Sequence, residues 1–299
     1  MRSRPFLVHA LSPLHAGTGH AAELVDLPTA RMRSTGIPIL PGSSIKGVLR
    51  DARWREAGED RDQQARVEAV FGPSPENDPS AHAGALVVGD ARLLALPVRT
   101  FRGTFAWATS PLLLALAARD LEAEGGSVPA VPAMDPGRRA LVTEGSLCLH
   151  RDRLYLEDLD LPARPSPALA GWAGLLAPLA SPGTDILTRR LALVDDETMG
   201  FLCETATQVD ARVRLDTNTR TVATGALWLE ESLPPETLLI GLLNAERSRR
   251  QGTEMTPEEV LDLGLPREEV VQLGGKATTG HGRCRLVPIP VSGGSDGQV

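Results

Sequence analysis

Two glycine-punctuated segments of this chain have the residue types and spacing to handle a phosphate. In Pro41-Gly-Ser-Ser-Ile-Lys-Gly-Val-Leu-Arg50 a glycine turn leads into a run with helical spacing. The first turn of a helix has backbone N–H groups without intrahelical partners, and such groups bind phosphate. Ser43 and Ser44 are the predicted N-cap residues. Lys46 and Arg50 stand one turn apart on one face and add positive charge; an ordinary capped helix with solvated charges has the same pattern. Leu273-Gly-Gly-Lys-Ala-Thr-Thr-Gly-His-Gly-Arg283 has P-loop spacing between Gly275 and Gly280. His281 occupies the position where that motif requires lysine, so it is not a P-loop. A loop carrying Gly274, Gly275, Lys276, Gly280, Gly282 and Arg283 can still follow a nucleic-acid backbone, although a plain hairpin turn has the same composition. Of 31 basic residues only Lys46 and Lys276 are lysines, one in each segment.

A third segment, Leu14-His-Ala-Gly-Thr-Gly-His20, loosely fits GxGxxA at Gly17–Ala22. A dinucleotide site needs that turn directly between a strand and a helix. Pro13 precedes it and Asp26-Leu-Pro28 would break any helix, which excludes a Rossmann reading. Asp26, between Val25 and Leu27-Pro28, is either a turn residue or a reactive carboxylate held in a stiffened loop. His15, eleven residues earlier, is a possible proton carrier. The six histidines show no metal-ligand spacing, and the three cysteines form no CxxC pair. Neither a zinc site nor a disulfide framework is expected, and the thiols suit a reducing compartment.

Bulk properties narrow the classes further. A net charge of -7 and a pI near 5.5 disfavour a general nucleic-acid coat protein, though not a local basic groove. Aromatic residues make up 3% of the chain, too few for a stacking platform. No apolar run approaches the ~20 residues of a membrane helix. The opening Met1-Arg-Ser-Arg-Pro-Phe6 lacks a secretory h-region. The expectation is a cytoplasmic protein with no membrane partner.

These residues need elements to position them. Strands are predicted at Phe6–Leu11, Ala85–Leu96, Thr237–Leu243 and Arg283–Val291, and helices at Ile45–Ala57, Asp60–Val70, Pro111–Glu124 and Pro257–Leu263. Residues 140–149 and 153–156 are expected to pair, and 162–183 to form a helical insertion. Phe201–Thr205 reads as a short ordered segment. Val209–Leu215 and Thr221–Leu229 read as a hairpin about Asp216–Arg220, with an apolar face of Val209, Ala211, Val213 and Leu215 and a charged face of Asp210, Arg212, Arg214 and Asp216. Strands at both ends with helices between them indicate an α+β fold about one central sheet.

Taken together, several blocks resemble the Cmr4 family of Cas7-like RAMP proteins. These are His15–Gly19, Val25–Pro28, Thr35–Pro38 leading into Pro41–Arg50, Pro97–Pro111, Gly225–Pro234 and the loop Gly274–Gly282, in the family's order. The resemblance implies a ferredoxin-like (RRM-like) palm with helical insertions at about 51–84 and 158–200 and a β-hairpin thumb at about 205–232. These would form one domain over 1–291, with a flexible tail at 292–299. It implies a guide-RNA-binding backbone subunit of a type III CRISPR effector complex, with CRISPR guide RNA, single-stranded target RNA, copies of itself and other effector subunits as partners. It further implies metal-dependent endoribonuclease activity at regular intervals, with Asp26 as the catalytic carboxylate and ligand of Mg²⁺ or Mn²⁺. His15, Glu230 and Glu231 are further candidates. The RNA-binding set is Ser43, Ser44, Lys46, Arg50, the glycine loop, Arg212 and Arg214. Ser232 stands where the family pattern has an aromatic. The acidic outer surface then fits a groove that forms only when subunits stack. The alternatives are a non-catalytic filament subunit, a Csm3-like subunit and a stand-alone guide-RNA-processing nuclease, for which His15 and Tyr155 give little support.

Overall fold

The computed structural model describes residues 1–17, 25–73, 82–122, 125–134, 139–216 and 219–290. The expected tail, residues 18–20 of the first glycine segment and residues 217–218 of the hairpin turn lie outside them, as do parts of the loops near 77–84 and 124–136.

Strand β1 (Arg2–Ala10) is flanked by the antiparallel strands β13 (Leu238–Ala245) and β15 (Arg283–Pro288). On its far side β13 pairs antiparallel with β4 (Ala91–Arg99). Helices α1 (Gly42–Ala57) and α2 (Arg61–Phe71) connect β1 to β4, and α6 (Pro257–Gly264) connects β13 to β15. The order β15–β1–β13–β4 with two helical connections is the ferredoxin-like palm. Alternation along β1 explains why its run is almost wholly apolar. Phe6 and Val8 pack with Ile45, Leu49, Val70 and Val260 under the palm helices. Leu7 points the other way, into a second core with α3 (Pro111–Leu121) and α4 (Ala168–Ala180). Both faces of the strand are therefore covered, and each fully buried Leu, Val or Phe contributes about 1.5–3 kcal/mol. Local signals fix the helices: Thr256 and Glu259 form a capping box on α6, Asp60 caps α2, and Ser110 with Pro111 starts α3.

The sheet continues past β4 through β5 (Phe105–Thr109), β10 (Leu191–Val194), β6 (Ala140–Val142), β9 (Leu159–Pro165), β8 (Arg153–Leu156) and β7 (Leu149–His150). Short β2 (Ile39–Leu40) and β3 (Leu86–Val88) flank the palm, and β14 (Glu269–Gln272) forms its edge beside β15. Helix α5 (Asp196–Thr205) precedes a separate hairpin of β11 (Gln208–Leu215) and β12 (Val222–Ser232).

Several local expectations are corrected. The 85–96 run splits at Gly89-Asp90 into β3 and β4. Of the 140–150 stretch only residues 149–150 pair with β8, because 140–142 lie parallel to β9 instead. Residues 162–165 belong to β9, so the helix begins only at Ala168. Segment 201–205 is ordered as expected, as the end of a helix capped at Asp195. No helix among the described residues is long and apolar enough to cross a membrane.

Candidate active site

Three segments distant in sequence meet at the base of β12. The first loop runs alongside it: Leu27 N–H donates to the Leu229 carbonyl at 3.1 Å, and Glu231 N–H donates to the Leu27 carbonyl at 3.0 Å. Between these rungs Asp26 is exposed, and its Oδ2 accepts the Leu229 N–H at 2.8 Å. Among the described residues Oδ1 has no hydrogen-bond partner. The carboxylate is thus oriented by one oxygen, and the other is uncommitted on an exposed side chain.

His15 is buried, with Nδ1 2.7 Å from the Glu231 carbonyl. A carbonyl only accepts, so Nδ1 carries the hydrogen and Nε2 of the neutral ring is the basic nitrogen. A Cβ at residue 17 would lie 2.6 Å from that Nε2, so Gly17 is required by the approach of the ring. Glu231 has both oxygens committed. Oε2 accepts the Thr29 N–H at 2.9 Å and Oε1 accepts from Arg31 at 2.5 Å. The Arg31 guanidinium also donates to the carbonyls of Cys203 and Gly36. Glu231 therefore fastens the far end of the first loop to β12 and, through Arg31, to α5.

Glu230 is 2% exposed and belongs to a different cluster. Its Oε2 lies 3.4 Å from Lys276 Nζ, and its Oε1 lies 3.9 Å from His281 Nδ1. Lys276 also stands over the Trp228 ring at 5.8 Å. Arg212 reaches His281 Nε2 at 2.9 Å and Asp210 at 3.3 Å. Lys276 and Arg212, two of the expected RNA contacts, are drawn into this network. Arg214 and Arg283 are exposed, and no carboxylate among the described residues pairs with them.

The glycine loop packs on the first loop through backbone. Gly275 N–H donates to the His15 carbonyl at 3.0 Å and Gly282 N–H to the Pro13 carbonyl at 2.8 Å. Gly274 and Gly282 have φ of +72° and +81°, and a Cβ at either would lie 2.3 Å or less from a carbonyl oxygen, of His15 or Leu273 respectively. Close packing accounts for these two glycines without a ligand, while Gly280 at φ +85° has open space around it.

At α1 the expected cap is corrected. Pro41 is the N-cap residue and no side chain caps the helix; Ser43 and Ser44 are exposed in its first turn. The reason is tertiary: Gly42 N–H is already taken by Asp90 at 2.8 Å. Arg50 donates to the Pro73 carbonyl at 2.7 Å, whereas Lys46 has no acid partner among the described residues. Burial, and then the neighbouring Arg50, hold the Lys46 ammonium below its usual pKa. A phosphate arriving there would offset both effects by favouring the charged ammonium.

The donor set sets limits on a divalent cation. No group of three or more His, Cys, Asp or Glu capable of holding a metal occurs among the described residues. Asp26 fits a cation held by one carboxylate together with substrate phosphate and water, a usual arrangement for Mg²⁺, and an all-protein cage does not fit. Sequence reasoning missed Arg31, Trp228 and the position of His281. Only the His281 exception to the P-loop pattern signalled any of them.

The sequence matches the RAMP superfamily over residues 7–285. The CRISPR system Cmr endoribonuclease Cmr4 of Pyrococcus furiosus is 30% identical over 295 residues, covering 96% of this chain and 97% of that protein. The crystal structure of oligomeric Cmr4 from P. furiosus superposes with a TM-score of 0.72 at 24% identity, over 98% of this chain and 100% of that one. A chain in the type III-B Cmr-beta complex bound to cognate target RNA matches with a TM-score of 0.71 at 20% identity, over 97% and 98%. These two likenesses establish the shared fold, and the sequence match covers nearly the whole of both proteins: the chain belongs to the Cmr4 family of the RAMP superfamily.

Proposed function

We propose that this chain is a guide-RNA-binding backbone subunit of a type III-B CRISPR effector complex, and that it cleaves target RNA at its first loop. The observation that carries this reading is the exposed Asp26 carboxylate, oriented by the Leu229 N–H at the base of the hairpin with its second oxygen uncommitted. RNA brings its own nucleophile. The 2′-hydroxyl attacks the adjacent phosphorus, the O2′–P bond forms, the P–O5′ bond breaks, water gives the departing O5′ a proton, and a 2′,3′-cyclic phosphate and a 5′-hydroxyl result. Asp26 takes the 2′-hydroxyl proton or anchors a divalent cation, Mg²⁺ or Mn²⁺, which when bound offsets charge developing on the phosphate. His15, with Nε2 as its basic nitrogen, is suited to carry a proton beside it. Glu230 serves as a second carboxylate, and the two committed oxygens of Glu231 suit it to positioning the loop. The hairpin acts as a thumb over 205–232. Its exposed Val209, Val213, Leu215 and Leu227 await bases or a neighbouring copy. Lys46, Arg50, Arg214 and Arg283 supply backbone contacts.

Asp26→Asn tests the reading. Asparagine retains an oxygen to accept the Leu229 N–H, so loop geometry and RNA binding are preserved. In complex with guide and labelled target RNA, cleavage with Mg²⁺ or Mn²⁺ is expected to fall about 10²–10⁴-fold. Cleavage at the wild-type rate would reduce Asp26 to a turn residue.

A further inference from the structure

His281 is nine-tenths buried on the glycine loop and is not explained by packing alone. Charged groups surround its ring: Glu230 on β12, Lys276 on its own loop, and Arg212 on β11 with Asp210 beyond it. A guanidinium only donates, so the Arg212 contact at 2.9 Å makes Nε2 the acceptor and puts the hydrogen of the neutral ring on Nδ1. That N–H faces Glu230 Oε1 at 3.9 Å, and both atoms are buried without a hydrogen-bond partner. Orphaned polar atoms in pairs are rare in folded proteins and call for an explanation. A closure of about 0.7 Å would bring the pair to the outer hydrogen-bond limit. The flanking residues Gly274, Gly275 and Ala277–Gly280 are exposed, so RNA lying on this loop can supply that movement.

We infer that His281 is a positioning residue for RNA cleavage: with Lys276, and held in one tautomer by Arg212, it sets the orientation of the Glu230 carboxylate when RNA engages the glycine loop. The inference rests on the reading above that Glu230 belongs to the cleavage machinery. Lys276 restrains one carboxylate oxygen and His281 the other, which leaves the group one orientation instead of two. His281 thus acts through Glu230 and touches no substrate.

The test uses the assembled complex with guide and labelled target RNA under single-turnover conditions. His281→Leu is expected to lower the saturating cleavage rate about tenfold while target affinity stays unchanged. His281→Gln, which keeps both a donor and an acceptor, restores most of the rate. In a Glu230→Gln background His281→Leu adds no further loss. An unaltered rate in His281→Leu, or an equal loss with and without the Glu230 carboxylate, overturns the inference. Asp26→Asn run in parallel separates the failures. If it still cleaves, the functional reading falls and this one with it; if it is dead and His281→Leu is fully active, only this inference falls. A measurement independent of activity uses the labelled full chain. Long-range ¹H–¹⁵N spectra should show His281 protonated at Nδ1, with its signal moved by Glu230→Gln. A wild-type ring protonated at Nε2 overturns the proposal without any assay of cleavage.

Discussion

At the scale of single residues, the candidate site is organised by what small groups leave room for. Gly17 is the clearest case, because its missing Cβ is where the His15 ring edge lies. Gly17→Ala should push the ring off the Glu231 carbonyl. A displacement near 1 Å can cost up to about 10²-fold in rate, so the expected result is slower cleavage with guide binding intact, read by single-turnover assay and by a guide-RNA mobility shift. Glu231 shows the opposite logic. Its sequence neighbour Glu230 is also a buried glutamate, yet Glu231 holds a backbone N–H and an arginine while Glu230 faces a lysine and a histidine. The alternation of a strand sends adjacent side chains to opposite faces, so the Glu-Glu pair does not act as one dyad.

At the scale of elements, α1 is less open to phosphate than its sequence promised. Asp90 occupies the first N–H, and Arg50 is tethered to the end of α2. Lys46, whose ammonium burial holds below its usual pKa, is the remaining positive group there without an acid partner among the described residues. Replacing Lys46 and Arg50 together by alanine should weaken guide-RNA binding and reduce the slope of log K against log salt by about 0.7 for each phosphate that is no longer neutralised. Given the tether on Arg50, a slope change nearer that of one phosphate than of two is expected, measured by filter binding across a salt series. An unchanged slope would remove α1 from the RNA surface. The hairpin is the second informative element. From its charged face Arg212 reaches His281 of the glycine loop, while Val213, Leu215, Val222 and Leu227 stay about half or more exposed. An element with its apolar side outward is built to be covered by something else.

At the scale of the whole molecule, the three thiols report on the fold. All are buried and free. Burial pushes Cys203 up to about 11 and Cys284 up to about 12, from 9.0. Above pH 9 the unfolded chain loses thiol protons that the folded chain keeps, so stability falls as pH rises towards these values, by up to about 1.4 kcal/mol per thiol per pH unit. Lys46 works with the opposite sign, since its lowered pKa means that the unfolded chain holds that proton longer. With only two lysines and one tyrosine in the sequence, little else titrates in this window. Urea midpoints should therefore decline steeply between pH 9 and 11, and Cys284→Ala should flatten the decline. A flat profile in the wild type would mean that the thiols are accessible to water.

The sequence by itself determined the palm elements and the segments that matter. Capping residues, glycine turns and apolar periodicity are local signals, and they placed β1, α1, α2, α3, α6 and the hairpin within a few residues. The block order from His15 to Gly282 carried the family, and it was that resemblance, not the local pattern of a carboxylate between apolar residues and a proline, that singled out Asp26 over a plain turn residue. Only the tertiary structure decided which face each side chain serves. The β5, β9 and β14 strands were illegible because short apolar runs owe their pairing to distant partners. The Arg31–Glu231 and Lys276–Glu230 contacts join residues hundreds or tens of positions apart, and no local pattern encodes such a meeting. The same holds for the serines of α1, whose capping role was pre-empted by a backbone turn at Pro41 and a carboxylate forty-eight residues away. Local chemistry proposes partners for every polar group; the packing of the sheet settles which partner arrives.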